Sequence, residues 1–487
     1  MVISLKVRWA IFIAITLLAL AIRLPRLGER PMHTDEAVNA FITGNLLAGE
    51  TYKYDPQDKH GPALFLFAKP ITQLCGAKHF SELTETQLRL TPVLIGSAMI
   101  LLFGFGVEAF GFTACLVAAL LFAVSPLPVY YSRYFIHETL FVTATFGLML
   151  TGWHTLKNNS WSFAALTGLC AALLLACKET AVIHFFALAG AAFIIWLMNR
   201  RQALASTKTF AVAGVVFLTA TVLLFTWFGQ NFGALADLFH AIPRFVARAG
   251  GEGHAKPFAY YFQLLDPLFV LSFAAAAGIY AAICATVTGQ RKATLPLMIY
   301  ALVVTLIYSA IPYKTPWLAL NLWLPFTLLC GVGVSVIIGA FDSKAGSWGS
   351  LITGILLLAT CGAQTQELVF HKPADERNPL AYAHTTDDLL GLPVLVEKIC
   401  RERNISQPRI AVVMPDTWPL PWYLRKFFSV GYWQPGRDPG AADFFITTTD
   451  TPTNLTARLS DFRPEFFGVR PNVLFILWTP PVKSNLP

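Results

Sequence analysis

Charge is scarce in this chain. Asp, Glu, Lys and Arg together make up 13% of 487 residues, against 55% hydrophobic ones, and the mean hydropathy is +0.57. So little polar surface cannot cover a soluble globule, which excludes soluble multidomain enzymes and points to a polytopic membrane protein. The formal net charge of +8 does not indicate nucleic acid, because in so apolar a chain Lys and Arg mark cytoplasmic loops and lipid headgroup contacts. Paired cysteines are missing too. The eight present (Cys75, Cys115, Cys170, Cys177, Cys284, Cys330, Cys361 and Cys400) lie mostly inside apolar runs, without the spacing of a zinc site or a disulfide framework, and read as small core residues. There is no Walker motif, dinucleotide glycine fingerprint or solenoid period.

Long apolar runs are abundant. They fall at residues 9–22, 88–110, 112–130, 135–153, 161–177, 181–198, 210–228, 264–287, 295–310, 317–340 and 348–362, about eleven transmembrane helices if each run of roughly 17 to 25 residues crosses once. Lys6 and Arg8, followed by an apolar stretch ending in Ala19-Leu20-Ala21, also fit a cleavable signal peptide, which would leave the sidedness unchanged. Lys6, Arg8, Lys157, Arg200, Arg201, Lys208, Arg291, Lys292 and Lys344 all lie in one alternate set of short loops, which makes that set and the N-terminus cytoplasmic.

The expected architecture is an α-helical, multi-pass inner-membrane protein with a transmembrane domain over residues 1–370 and a first outer loop over 23–87. Within that loop, residues 63–77 are apolar but interrupted at Lys69-Pro70 and too short to cross, and Val38, Phe41, Ile42 and Leu46 recur at helical spacing. Both stretches are expected in the membrane interface. After Phe370 the composition turns polar, and residues 410–413, 444–446 and 473–476 read as buried strands of a small extracytoplasmic α/β domain over 371–487.

Polar signatures converge on the outer face. Asp35 and Glu36 stand in the hexapeptide Pro31-Met32-His33-Thr34-Asp35-Glu36, directly behind the first apolar run. There the reduced dielectric can tune a carboxylate for proton transfer. The plainer reading is that Thr34 caps a helix over residues 37–47 whose first turn accepts acids. Adjacent on a helix, the two side chains diverge by roughly 100°, which suits one base and one positioning acid better than a shared-proton dyad.

Tyr52-Lys53-Tyr54 and Lys59-His60-Gly61-Pro62 continue the loop, the latter expected to form a rigid turn that brings His60 toward the acids. In Tyr130-Tyr131-Ser132-Arg133-Tyr134-Phe135-Ile136-His137-Glu138, Arg133 and His137 are expected to share a helix face, Arg133 serving either phosphate or the interface. Lys178-Glu179 is either functional or a salt-bridged hairpin tip. Tyr313-Lys314, between Pro312 and Pro316, suits phosphate contact or interface anchoring. His33, Asp35, Glu36 and His60 offer ligands for a divalent ion, which no strict spacing requires.

With these residues on view, the chain resembles the membrane-embedded GT-C glycosyltransferases. His33-x-Asp35-Glu36, Gly61-Pro62, Arg89-Leu90-x-Pro92 and Pro126-x4-Tyr131-Ser132-Arg133 carry the wider likeness. The stretch 130–138, Lys178-Glu179-Thr180, Tyr313-Lys314-Thr315-Pro316-Trp317 and Asp416-x-Trp418-Pro419-Leu420-Pro421-Trp422-Tyr423 are similar, more narrowly, to the flippase-activity-associated family of archaea and bacteria. The wider relatives are the protein O-mannosyltransferases and lipid A aminoarabinose transferases.

The resemblance implies transfer of a sugar, with inversion, from a polyprenyl-phosphate donor to an extracytoplasmic hydroxyl of a glycan, lipid or protein. Asp35 would be the base, Glu36 its support and Glu138 a second acid. Arg133, Lys178 and Lys314 would meet the donor phosphate, and His33, Tyr54, His60, His137, Glu179 and Tyr313 would line the substrate site. No cofactor is required by this chemistry, though a divalent metal is compatible with it. A lipid-linked sugar flippase and a non-catalytic accessory subunit are the rival classes, and clustering of charge at helix ends on one face favours the enzyme.

Overall fold

The computed structural model describes residues 4–57, 59–198, 205–251, 253–265, 280, 293–340 and 344–481. Helices dominate. In chain order the principal ones are α1 (Leu5–Arg23), α2 (Thr34–Leu47), α3 (Ala63–Leu74), α4 (Glu85–Phe110), α5 (Phe112–Val124), α6 (Pro126–Tyr131), α7 (Glu138–Asn158), α8 (Trp161–Cys177), α9 (Ala181–Met198), α10 (Thr207–Phe225), α11 (Ala234–Ala249), α12 (Thr294–Ala310), α13 (Leu320–Ala340), α14 (Lys344–Thr365) and α15 (Gly391–Arg403).

Among the described residues, Leu5–Arg23, Glu85–Phe110, Ala181–Met198, Thr207–Phe225 and Pro316–Gly339 are long and apolar enough to cross a membrane, with four shorter apolar helices at α3, α5, α8 and α12. The expected span at 264–287 falls almost wholly outside the described residues, as do Arg200, Arg201, Arg291 and Lys292.

The chain forms two compact units. The first comprises Met1–Arg26, Thr51–Ile71 and Arg89–His371; the second comprises Leu27–Glu50, Thr72–Leu88 and Lys372–Pro487. The stretch expected as one outer loop thus divides between them.

In the first unit, small residues let helix backbones touch, the usual device where lipid removes the hydrophobic drive between helices. A Cβ on Gly331 of α13 would lie 2.1 Å from the carbonyl oxygen of Ala114 in α5, and one on Gly168 of α8 would lie 2.3 Å from that of Ala213 in α10. The expected single run over 112–130 is broken. Ser125 is extended (φ −70°, ψ 146°) and Pro126 opens α6, because proline has no N–H to continue the ladder of α5.

The break orphans the last carbonyls of α5, and distant side chains take them up. Arg23 donates Nη2 to Phe122 O at 2.9 Å and Nη1 to Ala123 O at 2.9 Å, and Thr365 Oγ1 donates to Val124 O at 2.5 Å. Arg23 Nε completes its set on Ser132 Oγ at 2.7 Å. Arg133 returns the contact: Nη1 donates to Arg23 O and Pro25 O, both at 2.6 Å, and Nη2 to Arg26 O at 3.2 Å. Two arginines thereby join the end of α1 to the broken segment.

The second unit carries a five-stranded sheet, β1 (Arg409–Val413), β2 (Ser429–Trp433), β3 (Phe444–Thr448), β4 (Arg463–Arg470) and β5 (Val473–Thr479), in the order β2-β1-β3-β5-β4. β1 pairs in parallel with β2 and β3, whereas β5 pairs antiparallel with β3 and β4. The expected strands are the three central ones, buried along most of their length. The two unexpected ones are edges: β4 contains Pro464, and β2 is only half-buried, so neither shows the continuous apolar run of a central strand.

α2 belongs to this unit. Phe41 packs edge-on against Phe80, with ring centroids 5.5 Å apart. Trp422 Nε1 donates to Glu85 Oε1 at 2.8 Å and Arg425 Nε to Leu83 O at 3.1 Å, tying residues 72–88 to the C-terminal part.

Candidate active site

The acid pair is built by an unusual cap. The N-cap of α2 is His33, not Thr34: its Nδ1 accepts the Asp35 N–H at 3.1 Å, and Glu36 Oε2 accepts the His33 N–H at 3.2 Å. This is the reciprocal logic of a capping box with an imidazole in place of a hydroxyl. Because Nδ1 accepts, the ring proton sits on Nε2, which donates to the Tyr382 carbonyl at 3.1 Å. Burial holds the His33 imidazole below its ordinary pKa, although Asp35 and Glu36 pull the other way.

The preceding backbone is equally fixed. Met32 N donates to Tyr423 Oη at 2.8 Å, and Thr385 Oγ1 donates to Met32 O at 2.8 Å. The His384 ring lies 5.5 Å from that of His33.

The two acids differ accordingly. Glu36 is fully buried, with Oε1 3.4 Å from Arg30 Nη2. Asp35 is half-buried, and its carboxylate takes no hydrogen bond or ion pair among the described residues. Arg30, Tyr382 and His384 escape a reading of the sequence; the charged pair Glu29-Arg30 ahead of Pro31 was the only local sign.

The first unit gathers most of the other expected residues. Tyr54 Oη donates to Glu179 Oε1 at 2.7 Å, and His60 Nδ1 lies 3.0 Å from Glu179 Oε2. Burial opposes the charge on Glu179, but His60 and Tyr54 overcome it and bring the carboxyl down to about 2. Burial, reinforced by Glu179, raises the Tyr54 phenol. Tyr52 Oη donates to His60 O at 2.5 Å and His137 Nε2 to Gly61 O at 3.2 Å, with the His60 and His137 rings 5.4 Å apart. Gly61 is required here, since a Cβ would meet Ala176 O at 2.3 Å.

Lys178 and Glu179 do not bridge each other as a hairpin tip would. Lys178 Nζ pairs with Glu138 Oε1 at 2.5 Å, both buried. Burial works against the Lys178 charge, yet Glu138 keeps the ammonium above its ordinary pKa. Nor do Arg133 and His137 share a helix face, because residues 132–137 form a turn and bends between α6 and α7. The next helix, α7, starts only at Glu138.

Lys314 is buried in a turn pinned to residues 254–256: its backbone N–H donates to His254 O at 3.1 Å, Lys256 N donates to Pro312 O at 3.0 Å, and Tyr313 bridges Ala255. Its Nζ donates to Lys256 O at 3.2 Å and Ile311 O at 2.5 Å, and among the described residues no carboxylate pairs with it. Deeper in the unit, His184 bridges Tyr300 Oη (2.7 Å) and Tyr308 Oη (3.2 Å). A lone histidine in the apolar run 181–198 was its signal.

Among the described residues no group of three or more His, Cys, Asp and Glu side chains is placed to hold a metal. Of the expected ligands His33, Asp35, Glu36 and His60, His33 has both ring nitrogens already on protein atoms.

Comparison with known proteins bears on the fold. Residues 59–227 match the family model described as dolichyl-phosphate-mannose-protein mannosyltransferase. Among solved structures the chain is similar to ArnT from Cupriavidus metallidurans bound to undecaprenyl phosphate, at TM-score 0.64 and 17% identity over 96% of this chain and 97% of that one. It is also similar to the archaeal oligosaccharyltransferase AglB from Archaeoglobus fulgidus in complex with an inhibitory peptide and a dolichol-phosphate, at TM-score 0.62 and 11% identity over 94% and 72% of the two chains. A further similarity is to the arabinofuranosyltransferase AftD from Mycobacteria, at TM-score 0.51 and 15% identity over 99% and 40%. No curated protein matches the chain. The chain has the GT-C-like fold of these structures, a multi-pass assembly of apolar helices with a small C-terminal sheet.

Proposed function

We propose that this protein is an inverting glycosyltransferase that moves a sugar from a polyprenyl-phosphate donor to a hydroxyl acceptor outside the cytoplasm. The observation that carries the reading is the contrast among its buried acids. Glu36, Glu138 and Glu179 are each bound to a protein cation or hydrogen-bond donor, whereas the Asp35 carboxylate, fixed at the start of α2, has none among the described residues.

In the proposed step the acceptor oxygen attacks the anomeric carbon as its proton passes to Asp35. The bond from that carbon to the phosphate oxygen breaks, and its electron pair leaves with the polyprenyl phosphate. Glu36 and His33 set the direction of Asp35. The Glu138–Lys178 pair and the Arg133 contacts hold the backbone of the first unit.

The undecaprenyl phosphate and dolichol-phosphate named with similar folds support a lipid-phosphate donor. The Lys and Arg bias of alternate loops supports an extracytoplasmic site and C-terminal domain with a cytoplasmic N-terminus. The test incubates purified protein with a panel of labelled polyprenyl-phosphate sugars. Transfer or hydrolysis of one donor by the native protein, lost in Asp35→Asn, is the expected result. Inert protein that scrambles lipid-linked sugar in reconstituted vesicles would replace this reading with transport.

A further inference from the structure

Two apolar side chains stand clear of the rest of the protein. Phe428 is 96% exposed and Leu74 88%, more than any other large apolar side chain among the described residues. Both belong to the second unit, and both have close chain neighbours bound to residues 83–87. Arg425 Nε donates to Leu83 O at 3.1 Å, Trp422 Nε1 to Glu85 Oε1 at 2.8 Å and Gln87 Nε2 to Cys75 O at 3.1 Å. That stretch leads into α4, which is long and apolar enough to cross a membrane. Between Arg89 and Glu108 this helix carries no charge, a run of about 27 Å at 1.5 Å per residue, close to the roughly 30 Å of a bilayer's hydrocarbon core. Leu83, Glu85 and Gln87 therefore fall in the headgroup layer, and Leu74 and Phe428 are held close to it along the chain.

The residues around Phe428 have the chemistry of an interfacial anchor. Arg425-Lys426-Phe427-Phe428 sets two cations ahead of two aromatic rings, residue types that gather where hydrocarbon meets headgroups. Arg425 is engaged by Leu83 O and lies over the Trp422 ring, 3.6 Å from its centroid. Lys426, Phe427 and Phe428 instead line an open cavity of about 390 Å³ together with Arg401 from the last turn of α15. Glu397 is the only acid on that lining, and neither Lys426 nor Arg401 has a carboxylate partner among the described residues. The end of α15 does not compete for them, because the Asn404 and Ile405 N–H groups take up the Arg401 and Cys400 carbonyls.

We propose that this patch docks the second unit on the bilayer: Phe428 and Leu74 enter the interface, and Arg401 and Lys426 take the phosphate of an anionic phospholipid. Exposed apolar side chains beside two unmatched cations fit a ligand that is oily at one end and negative at the other. A soluble anion would use the cations and leave the rings in water. The site is independent of the sugar-transfer chemistry.

The test uses the full chain in nanodiscs of phosphatidylcholine containing about a tenth phosphatidylglycerol, with gel filtration to check the folding of each variant. The photocrosslinker p-benzoylphenylalanine replaces Phe428, Leu218 of α10 as a lipid-facing control, or Phe466 of β4 as a water-facing one. The controls are 63% and 62% exposed, and β4 is the opposite edge of the sheet from β2. After irradiation, mass spectrometry should find phospholipid adducts at 428 and 218 and few at 466. At 428 the ratio of phosphatidylglycerol to phosphatidylcholine adducts should exceed the bilayer ratio by on the order of tenfold, whereas at 218 it should equal it. Arg401→Gln combined with Lys426→Gln should return the ratio at 428 to the bilayer value and keep the adducts. Excess inorganic phosphate should change the ratio no more than sodium chloride of equal ionic strength. Adducts at 218 but not at 428, or equal yields at 428 and 466, overturn the docking. A ratio unmoved by the double variant, or abolished by phosphate alone, overturns the phospholipid site. A crosslinked dimer at 428 in place of lipid adducts gives the patch to a second copy of the chain.

Discussion

Asp35 and Glu36 are neighbours in sequence with opposite circumstances, and substitutions should separate them. Asp35→Asn removes only an unengaged carboxylate, so transfer activity should vanish while the melting temperature in detergent stays at the native value. Glu36→Ala strips the fully buried partner from Arg30 and should cost about 3 to 5 kcal/mol of stability, read from thermal unfolding. Glu179 makes a pH-dependent contribution. Its folded-state value is depressed to about 2, so the stability it supplies is complete above the ordinary Glu value of about 4.3 and disappears as pH falls toward 2. Glu179→Gln should therefore melt below the native protein at neutral pH, with the gap closing in acid. The sequence located the acid pair but misassigned its cap, because imidazole is not among the usual capping side chains. The partners of Lys178 and Glu179 were hidden because they lie 40 and 119 residues away.

At the level of elements, α1, α5 and α6 are held by polar contacts as well as by apolar packing. Arg23→Leu should leave the Phe122 and Ala123 carbonyls without their donors and destabilise the protein on the order of 3 kcal/mol, while Thr365→Val, which removes one bond to Val124 O, should cost about 1 kcal/mol; thermal unfolding in detergent measures both. Apolar runs gave α8 and α9 to the residue and α12 within one, since nothing competes with burial there. They failed at 112–130, where hydrophobicity is continuous but Pro126 is not compatible with a continuous helix. They also failed for β2 and β4, edges whose polar and proline residues mask the strand pattern.

For the molecule as a whole, the second unit is assembled from three separated stretches of chain. Within it, Tyr423 and Thr385 bind Met32, and Trp422 binds Glu85. A fragment of residues 372–487 expressed alone should consequently lack a cooperative thermal transition by circular dichroism, and one that also supplies 27–50 and 72–88 should regain it. The order of synthesis adds a constraint. Residues 27–50 leave the ribosome when the tyrosine, threonine and carbonyl that anchor them are still more than three hundred codons from translation. A nascent chain that has not yet reached these anchors can place its apolar helices in the bilayer and still leave the acid pair unfastened.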